Sequence, residues 1–405
     1  MAKTVAVSFD DVVEAREVLR GAIRETPMLR SRALSDLMAG PVLLKCENLQ
    51  RTGSFKVRGA YLRISRLSAA ERAAGVVAAS AGNHAQGVAL AAQMLGISAT
   101  VVMPEGAPLP KVAATRSHGA EVILHGAAVE DALALARQLA AERGSVFIHP
   151  FEHADVIAGQ GTVGLEIAEQ CPQVRTVAVE VGGGGLAAGV AIAIKGACPA
   201  ARVVGVQAEA AAPFPASLAA GHPVTVGCAP TMADGIAVAR PGDLTFDVIS
   251  GALDQVVTVS EESMARALLL CLERSKLLVE PAGAAGVAAL LEHPAAFEPP
   301  VVAILSGGNI DPLLLAKVLR HGLSAAGRYL AFKCRLPDRP GALASLLAEL
   351  AGLGANVLDV VHERETAGLR VDEAEVMLQV ETRGPEHCDD VISKLRKAGY
   401  VLLFS

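Results

Sequence analysis

Six short apolar runs, 75–79, 99–103, 120–124, 176–181, 202–206 and 300–305, alternate with Ala/Leu-rich stretches long enough to be helices. These runs lack the polar residue at every second place that marks a half-exposed strand, so they describe strands covered on both faces. Strands of that kind pair in parallel through crossover helices, and the expected class is α/β. A chain of 405 residues exceeds what one core usually serves, so two or three domains are expected.

The pattern changes after a short small-residue stretch, 322–328, that reads as a linker. Beyond it come strand 329–336, helix 340–353, strand 357–364, strand 373–381, helix 385–398 and strand 400–404, the βαββαβ plan of ferredoxin-like domains. The expected division is a two-lobed unit over 1–323 with a smaller lobe of about 54–155 inserted in it, a linker over 324–328, and a terminal domain over 329–405.

Several partners are excluded by composition. Aromatic residues make up 3% of the chain, Trp is absent and the net charge is -6, which suits neither base stacking nor a phosphate backbone. The segment Met1 to Asp10 has one cation and acquires acids before any long apolar core, so neither a signal peptide nor an anchor is expected. Apolar runs elsewhere fall short of the roughly 18 residues that cross a bilayer, and a cytoplasmic protein is expected. The seven cysteines are scattered without C-x-x-C spacing and read as free core thiols, with no disulfide or zinc role.

One lysine stands in an unusual setting. Lys56 lies in Ser54-Phe55-Lys56-Val57-Arg58-Gly59, after the strand-like run 41–44, among small, aromatic and glycine residues. Burial or a cationic neighbour lowers an amine's pKa, and a neutral amine attacks carbonyls. Lys56 is therefore the candidate for a Schiff base, with Arg58 able to supply part of the field. Ser80-Ala81-Gly82-Asn83-His84 follows the run ending at Ala79 and opens a helix, where backbone N–H groups and a short amide suit an anion such as a carboxylate. A plain N-cap with His84 on the helix surface is the other reading.

Gly182-Gly183-Gly184-Gly185-Leu186 follows the run 176–181, and four glycines let backbone N–H groups fold around a phosphate. Gly182-x-Gly184-x-x-Ala187 also satisfies the dinucleotide fingerprint, with Glu209 near the end of the next strand as the ribose acid. Ser306-Gly307-Gly308-Asn309 ends the last strand of the large unit, the place where open α/β sheets hold ligands. One lysine, one anion-binding helix start, one glycine cradle and one strand-end serine make up the set that holds pyridoxal 5'-phosphate, whereas a nicotinamide enzyme leaves Lys56 unexplained.

In these stretches, and in Ala233-Asp234-Gly235-Ile236-Ala237-Val238 and Glu280-Pro281, the chain resembles the threonine dehydratase (threonine ammonia-lyase) family of fold-type II pyridoxal-phosphate enzymes along essentially its whole length. The resemblance implies a tryptophan synthase β-like fold of two lobes with parallel sheets. It implies that Lys56 forms the Schiff base, Phe55 packs against the ring region, Asn83 bonds the phenolic oxygen and Ser306 meets the ring nitrogen. By the same resemblance Gly182 to Leu186 hold the phosphate, Gly235 belongs to the cofactor site, and Ser80, Ala81, Gly82 and His84 lie on the substrate side.

The implied reaction converts L-threonine to 2-oxobutanoate and ammonia, and L-serine to pyruvate, with Lys56 as the base that takes the α-proton. Related serine racemases carry a serine acid/base at the position of Ala81, and a methyl cannot relay a proton, so racemisation is disfavoured here. Some relatives bind a cation through an acid matching Glu209 and a second acid nearby; Pro213 and Pro215 occupy that neighbourhood, and no metal is expected. A serine or hydroxyaspartate dehydratase or racemase is the near alternative. A nicotinamide oxidoreductase and an amino-acid sensor with an inactive catalytic unit are the alternatives of other classes.

Leu336-Pro337-Asp338-Arg339-Pro340-Gly341-Ala342-Leu343, followed by Gly354-Ala355-Asn356-Val357, resembles the ACT-domain signature. That resemblance implies a homo-oligomer, dimer or tetramer, with isoleucine or valine bound in the seam between paired domains; a docking domain without a ligand is the other reading.

Overall fold

The computed structural model describes residues 7–365 and 368–404. Met1 to Ala6, most of the segment read above for a leader peptide, lies outside the described residues. The chain divides into two compact units, Met1–Leu315 and Ala316–Ser405.

In chain order the strands of the first unit are β1 (Met28–Arg30), β2 (Val42–Lys45), β3 (Val76–Ala79), β4 (Ala99–Met103), β5 (Glu121–Leu124), β6 (Val146–Phe147), β7 (Thr176–Glu180), β8 (Arg202–Ala208), β9 (Gln255–Val259) and β10 (Val301–Ile304). A six-stranded sheet runs β1-β2-β10-β7-β8-β9 and is parallel except for β1. A four-stranded sheet, β5-β4-β3-β6, is parallel throughout. Its strands are consecutive in sequence between β2 and β7, so the smaller lobe is an insertion in the larger one. Every residue of β3, β4, β7 and β10 is buried, as strands covered on both faces require. The short β1 and β6, and the partly exposed β9, are the strands that the apolar runs did not announce.

Three helices bring the functional segments together: Lys56–Ser65, Ala154–Gln170 and Gly185–Ala197. The middle one packs against both others at glycines. A Cβ on Gly159 would stand 2.7 Å from Gly59 Cα, and one on Gly189 would stand 2.3 Å from the Ile157 carbonyl oxygen. A side chain at either point forces the helices apart and moves Lys56 away from the tetraglycine loop.

A buried charge cluster anchors the first of these helices. Arg58 Nε and Nη2 fork onto Glu47 at 2.8 and 2.7 Å, and its Nη1 reaches Glu166 Oε1 at 2.6 Å. Lys45 Nζ meets Glu166 Oε2 at 2.5 Å, and Thr26 Oγ1 donates to Glu47. Two cations balance two carboxylates, and the remaining donors end on the Thr162 hydroxyl, the Arg24 and Thr26 carbonyls and Gln170. With its charges paired and hydrogen-bonded, the cluster avoids the penalty of an isolated buried ion.

In the second unit β11 (Tyr329–Pro337), β12 (Asn356–Glu363), β13 (Glu373–Glu381) and β14 (Leu402–Leu403) form an antiparallel sheet in the order β12-β13-β11-β14. Helices Ala342–Gly352 and Pro385–Lys397 complete the βαββαβ plan and bury Leu346, Leu350, Val391 and Leu395 with Phe332, Cys334, Val376 and Leu378. The front of the stretch read as a linker is helical, since Pro312–Ala325 forms one helix whose Leu, Ala, Lys and Arg content outweighs Gly322. Among the described residues no helix is long and apolar enough to cross a membrane. All seven cysteines are free thiols.

Candidate active site

A cavity of about 450 Å³ lies at the carboxyl ends of β3, β7 and β10. Its wall contains Phe55 and Lys56, the turn from Ser80 through Ala81, Gly82 and Asn83 to His84, the loop Gly182 to Leu186, Gly235 and Ser306. Backbone hydrogen bonds stitch the first and last of these together: Phe55 N–H donates to the Ser306 carbonyl at 3.1 Å, and Gly308 N–H donates to the Gly53 carbonyl at 2.8 Å. Segments some 250 positions apart in sequence thereby become one surface.

Lys56 opens its helix, donates from Nζ to the Pro150 carbonyl at 3.2 Å and lies 5.1 Å from the centroid of the Phe55 ring. Burial pushes its amine down to about 8, against the pull of the Glu280 carboxyl. Arg58 does not contribute as the sequence suggested. One helical position past Val57 it faces the opposite way, and its charge is spent on Glu47 and Glu166.

The Asn83 amide is held from two sides. Its Nδ2 donates to Glu280 Oε1 at 2.6 Å and its Oδ1 accepts from Asn309 Nδ2 at 2.9 Å, which leaves the second Nδ2 proton for a ligand. Glu280 is buried, and burial together with the Asp234 charge raises it to about 7 despite Lys111, Asn83 and Lys56. In the preceding turn Gly82 N–H donates to Ser80 Oγ at 3.1 Å. His84 is buried rather than on a helix surface. Its Nε2 meets the Ile148 carbonyl at 2.9 Å, and since a carbonyl only accepts, the nitrogen carries the proton. Burial and the Lys56 charge press its pKa to about 3, so the imidazole is neutral. Lys111, paired with Asp234 at 2.9 Å, brings a cation beside Gly82.

The tetraglycine loop is pressed between walls. A Cβ on Gly183 would fall 2.3 Å from the Phe151 ring, and one on Gly184, whose φ is +100°, would fall 2.8 Å from Thr245 Cβ. Thr245 Oγ1 donates to the Gly183 carbonyl at 2.6 Å. The loop leads directly into the 13-residue helix Gly185–Ala197, whose N-terminus favours a phosphate. An amine of lowered pKa, a glycine cradle that admits no side chain and a buried hydroxyl at Ser306 are a donor set that fits pyridoxal 5'-phosphate. The dinucleotide reading fails on geometry, because Glu209 is exposed in a single turn, Glu209–Ala211, and takes no part in the cavity wall. Among the described residues no group of three or more His, Cys, Asp or Glu side chains could hold a metal ion.

Among the wall or support residues that the sequence left without a role are Phe151, Lys111, Asn309 and Glu180. The first two stand in unremarkable contexts. Asn309 ended a recognised motif without a role. Glu180 carried a signal of its own, an acid closing an otherwise apolar strand immediately before the glycine loop.

Residues 19–307 match the family described as pyridoxal-phosphate dependent enzyme. An L-threonine ammonia-lyase of Thermotoga maritima is 47% identical over 394 residues, which cover 97% of this chain and 98% of the relative. The solved structure of the processed form of threonine deaminase isoform 2 from Solanum lycopersicum is similar with a TM-score of 0.73 and 38% identity, covering 77% of this chain and 86% of that one. Maize serine racemase is similar with a TM-score of 0.73 and 36% identity, covering 77% and 98%. The two-lobed parallel architecture, the cavity chemistry and these likenesses agree: the chain belongs to the family of pyridoxal-phosphate dependent enzymes, in its fold-type II form.

Proposed function

We propose that this enzyme deaminates L-threonine to 2-oxobutanoate and ammonia, and L-serine to pyruvate, with pyridoxal 5'-phosphate carried on Lys56. The observation that carries this reading is the meeting, in one cavity, of an amine lowered to about 8 with the tetraglycine loop and Ser306. The near full-length likeness to an L-threonine ammonia-lyase supports the substrate.

When bound, the cofactor supplies the sink for electrons released at the substrate α-carbon. The chain does the rest. The N–H groups of Ala81 and Asn83 bind the substrate carboxylate, those of Ser80 and Gly82 being donated to the Val102 carbonyl and to Ser80 Oγ, and the Lys111 cation beside Gly82 adds to their field. Lys56, whose amine is partly neutral near pH 8, takes the α-proton. Asn83, fixed by Glu280 and Asn309, would offer its remaining amide proton to the phenolic oxygen, and Phe55 would pack against the ring region. Gly182 to Leu186 hold the phosphate, with Gly235 in the facing wall. Ser306 would offer the ring nitrogen a neutral hydroxyl in place of an acid. Ala81 lies in the cavity wall and, on the resemblance to serine racemases, would face the substrate opposite Lys56 with a methyl that relays no proton.

In this reading residues 1–323 are the catalytic part, 324–328 the connection and 329–405 an ACT domain. A cavity of about 310 Å³ in the second unit is walled by Leu336 to Leu343, His362 and Arg364. Arg364 Nε meets Asp338 Oδ1 at 3.0 Å there, and the helix Ala342–Gly352 presents its N-terminus next to Gly341. A charged pair and a helix N-terminus beside the apolar Leu336, Pro337, Pro340 and Leu343 suit isoleucine or valine as effectors of a cytoplasmic homo-oligomer. The test is a steady-state assay on L-threonine and L-serine, with and without each effector. Threonine turnover that disappears in a folded Lys56→Ala variant is expected, and wild-type rates in that variant contradict the reading.

A further inference from the structure

Glu180, the last residue of β7, is 3% exposed and shares the cavity wall with Ser306 and Lys56. Among the described residues neither of its carboxyl oxygens has a hydrogen-bond partner of normal geometry. A buried acid without partners is costly, so its position calls for a ligand-side or neighbour-side role. Glu180 ends β7, whose parallel neighbour β10 leads into Ser306, and a Cβ on Gly286 would lie 3.3 Å from Glu180 Oε1 and 3.5 Å from the Ile304 carbonyl oxygen, so the acid sits at the strand ends beside Ser306 and the Gly286 backbone, with Glu280 as the other acid of the wall. Burial, and to a lesser degree the like charge of Glu280, keep the acid protonated far above the usual carboxylate range, outweighing the nearby backbone N–H groups and Ser306.

We propose that Glu180 is a positioning residue whose carboxylic O–H donates to Ser306 Oγ and thereby directs the Ser306 hydroxyl proton at the cofactor ring nitrogen. A serine hydroxyl has one proton and two acceptor sites. With an acid donating to one acceptor site, the serine proton is free for the ring nitrogen. An ionised carboxylate would instead take the serine hydrogen bond and turn a lone pair toward the ring. No proton is transferred in this arrangement, and the ring nitrogen stays unprotonated. The proposal rests on the reading of Ser306 given above.

The test reloads cofactor-free protein with pyridoxal 5'-phosphate labelled with ¹⁵N in the ring. Nitrogen chemical shift and cofactor dissociation constant are then read for the wild type, Glu180→Gln, Glu180→Ala, Ser306→Ala and the Glu180→Ala/Ser306→Ala double variant. Wild type is expected to show an unprotonated, hydrogen-bonded nitrogen. Glu180→Gln, whose amide also donates, should keep that shift. Glu180→Ala should move it toward the unbonded value and weaken cofactor binding about three- to tenfold, the net effect of one hydrogen bond. Ser306→Ala should do the same, and the double variant no more. Should Glu180→Ala not fold, Glu180→Leu removes the donor while keeping the volume. A protonated ring in the wild type, additive effects in the double variant, or equal changes in the Gln and Ala variants overturn the proposal. If Ser306→Ala moves the nitrogen signal and Glu180→Ala does not, only the role of Glu180 fails; if neither moves it, the reading of Ser306 fails as well.

Discussion

Arg58→Met should destabilise the first unit severely while leaving the cavity wall chemically intact. The guanidinium is fully buried and makes a two-bond fork to Glu47 and a third charged bond to Glu166. A methionine fills much of the space but leaves two buried carboxylates sharing Lys45 alone. Removing one partner from a buried, hydrogen-bonded ion pair costs about 3–5 kcal/mol, a large share of the roughly 5–15 kcal/mol that holds a protein folded. For a unit of this size that is a fall in unfolding temperature on the order of 10 °C, read by calorimetry on cofactor-saturated enzyme. Arg58→Lys, which keeps the charge and loses the fork, should fall less. Cofactor occupancy should drop along with stability, because Lys56 begins the same helix.

The pH dependence supplies a second check. Burial by itself raises Glu47, and the Arg58 charge and hydrogen bonds, with Thr26 and Lys45, reverse this and hold it below the usual carboxylate range. In the wild type Glu47 therefore contributes stability above its unfolded pKa, and that contribution is lost as pH falls through the lower folded value. Without Arg58 burial prevails and the folded pKa rises above the unfolded one. The sign inverts: the penalty is present at neutral pH and is relieved on acidification. Arg58→Met should thus be closest to wild type in mild acid. An unchanged unfolding temperature, or a deficit that widens as pH falls, would refute the assignment of the cluster.

Gly184→Ala places a Cβ at a φ of +100° and 2.8 Å from Thr245 Cβ, so left-handed strain of about 1–2 kcal/mol adds to a clash; cofactor affinity by fluorescence titration should fall about tenfold with the far-ultraviolet spectrum retained, and unchanged affinity would remove the loop from the phosphate site. Glu280 raises the Lys56 pKa, so Glu280→Gln should move the pH midpoint for modification of the cofactor-free amine below about 8. An upward shift in that titration contradicts the electrostatics. With L-serine, chiral chromatography should find pyruvate and no D-serine, while Ala81→Ser should introduce measurable racemisation; D-serine formed by the unaltered enzyme at the rate of pyruvate would show that another group returns the proton.

The strands that carry the site were legible because β3, β7 and β10 are short runs rich in β-branched residues and alanine, broken in β7 only by its terminal Glu180, that change abruptly to glycine or serine within two residues of their ends. Each motif was visible as a local backbone requirement, and the structure shows that all of them wall one cavity. What stayed hidden depends on contacts distant in sequence. Arg58 looked like a field source for Lys56 because adjacency in a chain does not reveal direction on a helix, and its true partners are 11 and 108 positions away. The burial of His84 depends on Ile148, and the orientation of Asn83 on Glu280 and Asn309. Strand β9 escaped notice although three of its five residues are valine, and as an edge strand it is only partly buried. The terminal unit was read almost element by element, because antiparallel strands with one covered face keep the alternation seen in the buried Leu330, Phe332, Cys334 and Leu336.

Two lysines line the catalytic cavity, Lys56 with its lowered pKa and Lys111 locked to Asp234. Borohydride reduction of the cofactor-loaded enzyme followed by peptide mass mapping decides between them. A pyridoxyl group on Lys56 alone is the expected result. Its appearance on Lys111, or on no lysine of an enzyme that still deaminates threonine, would contradict the assignment of Lys56 as the residue that carries the cofactor.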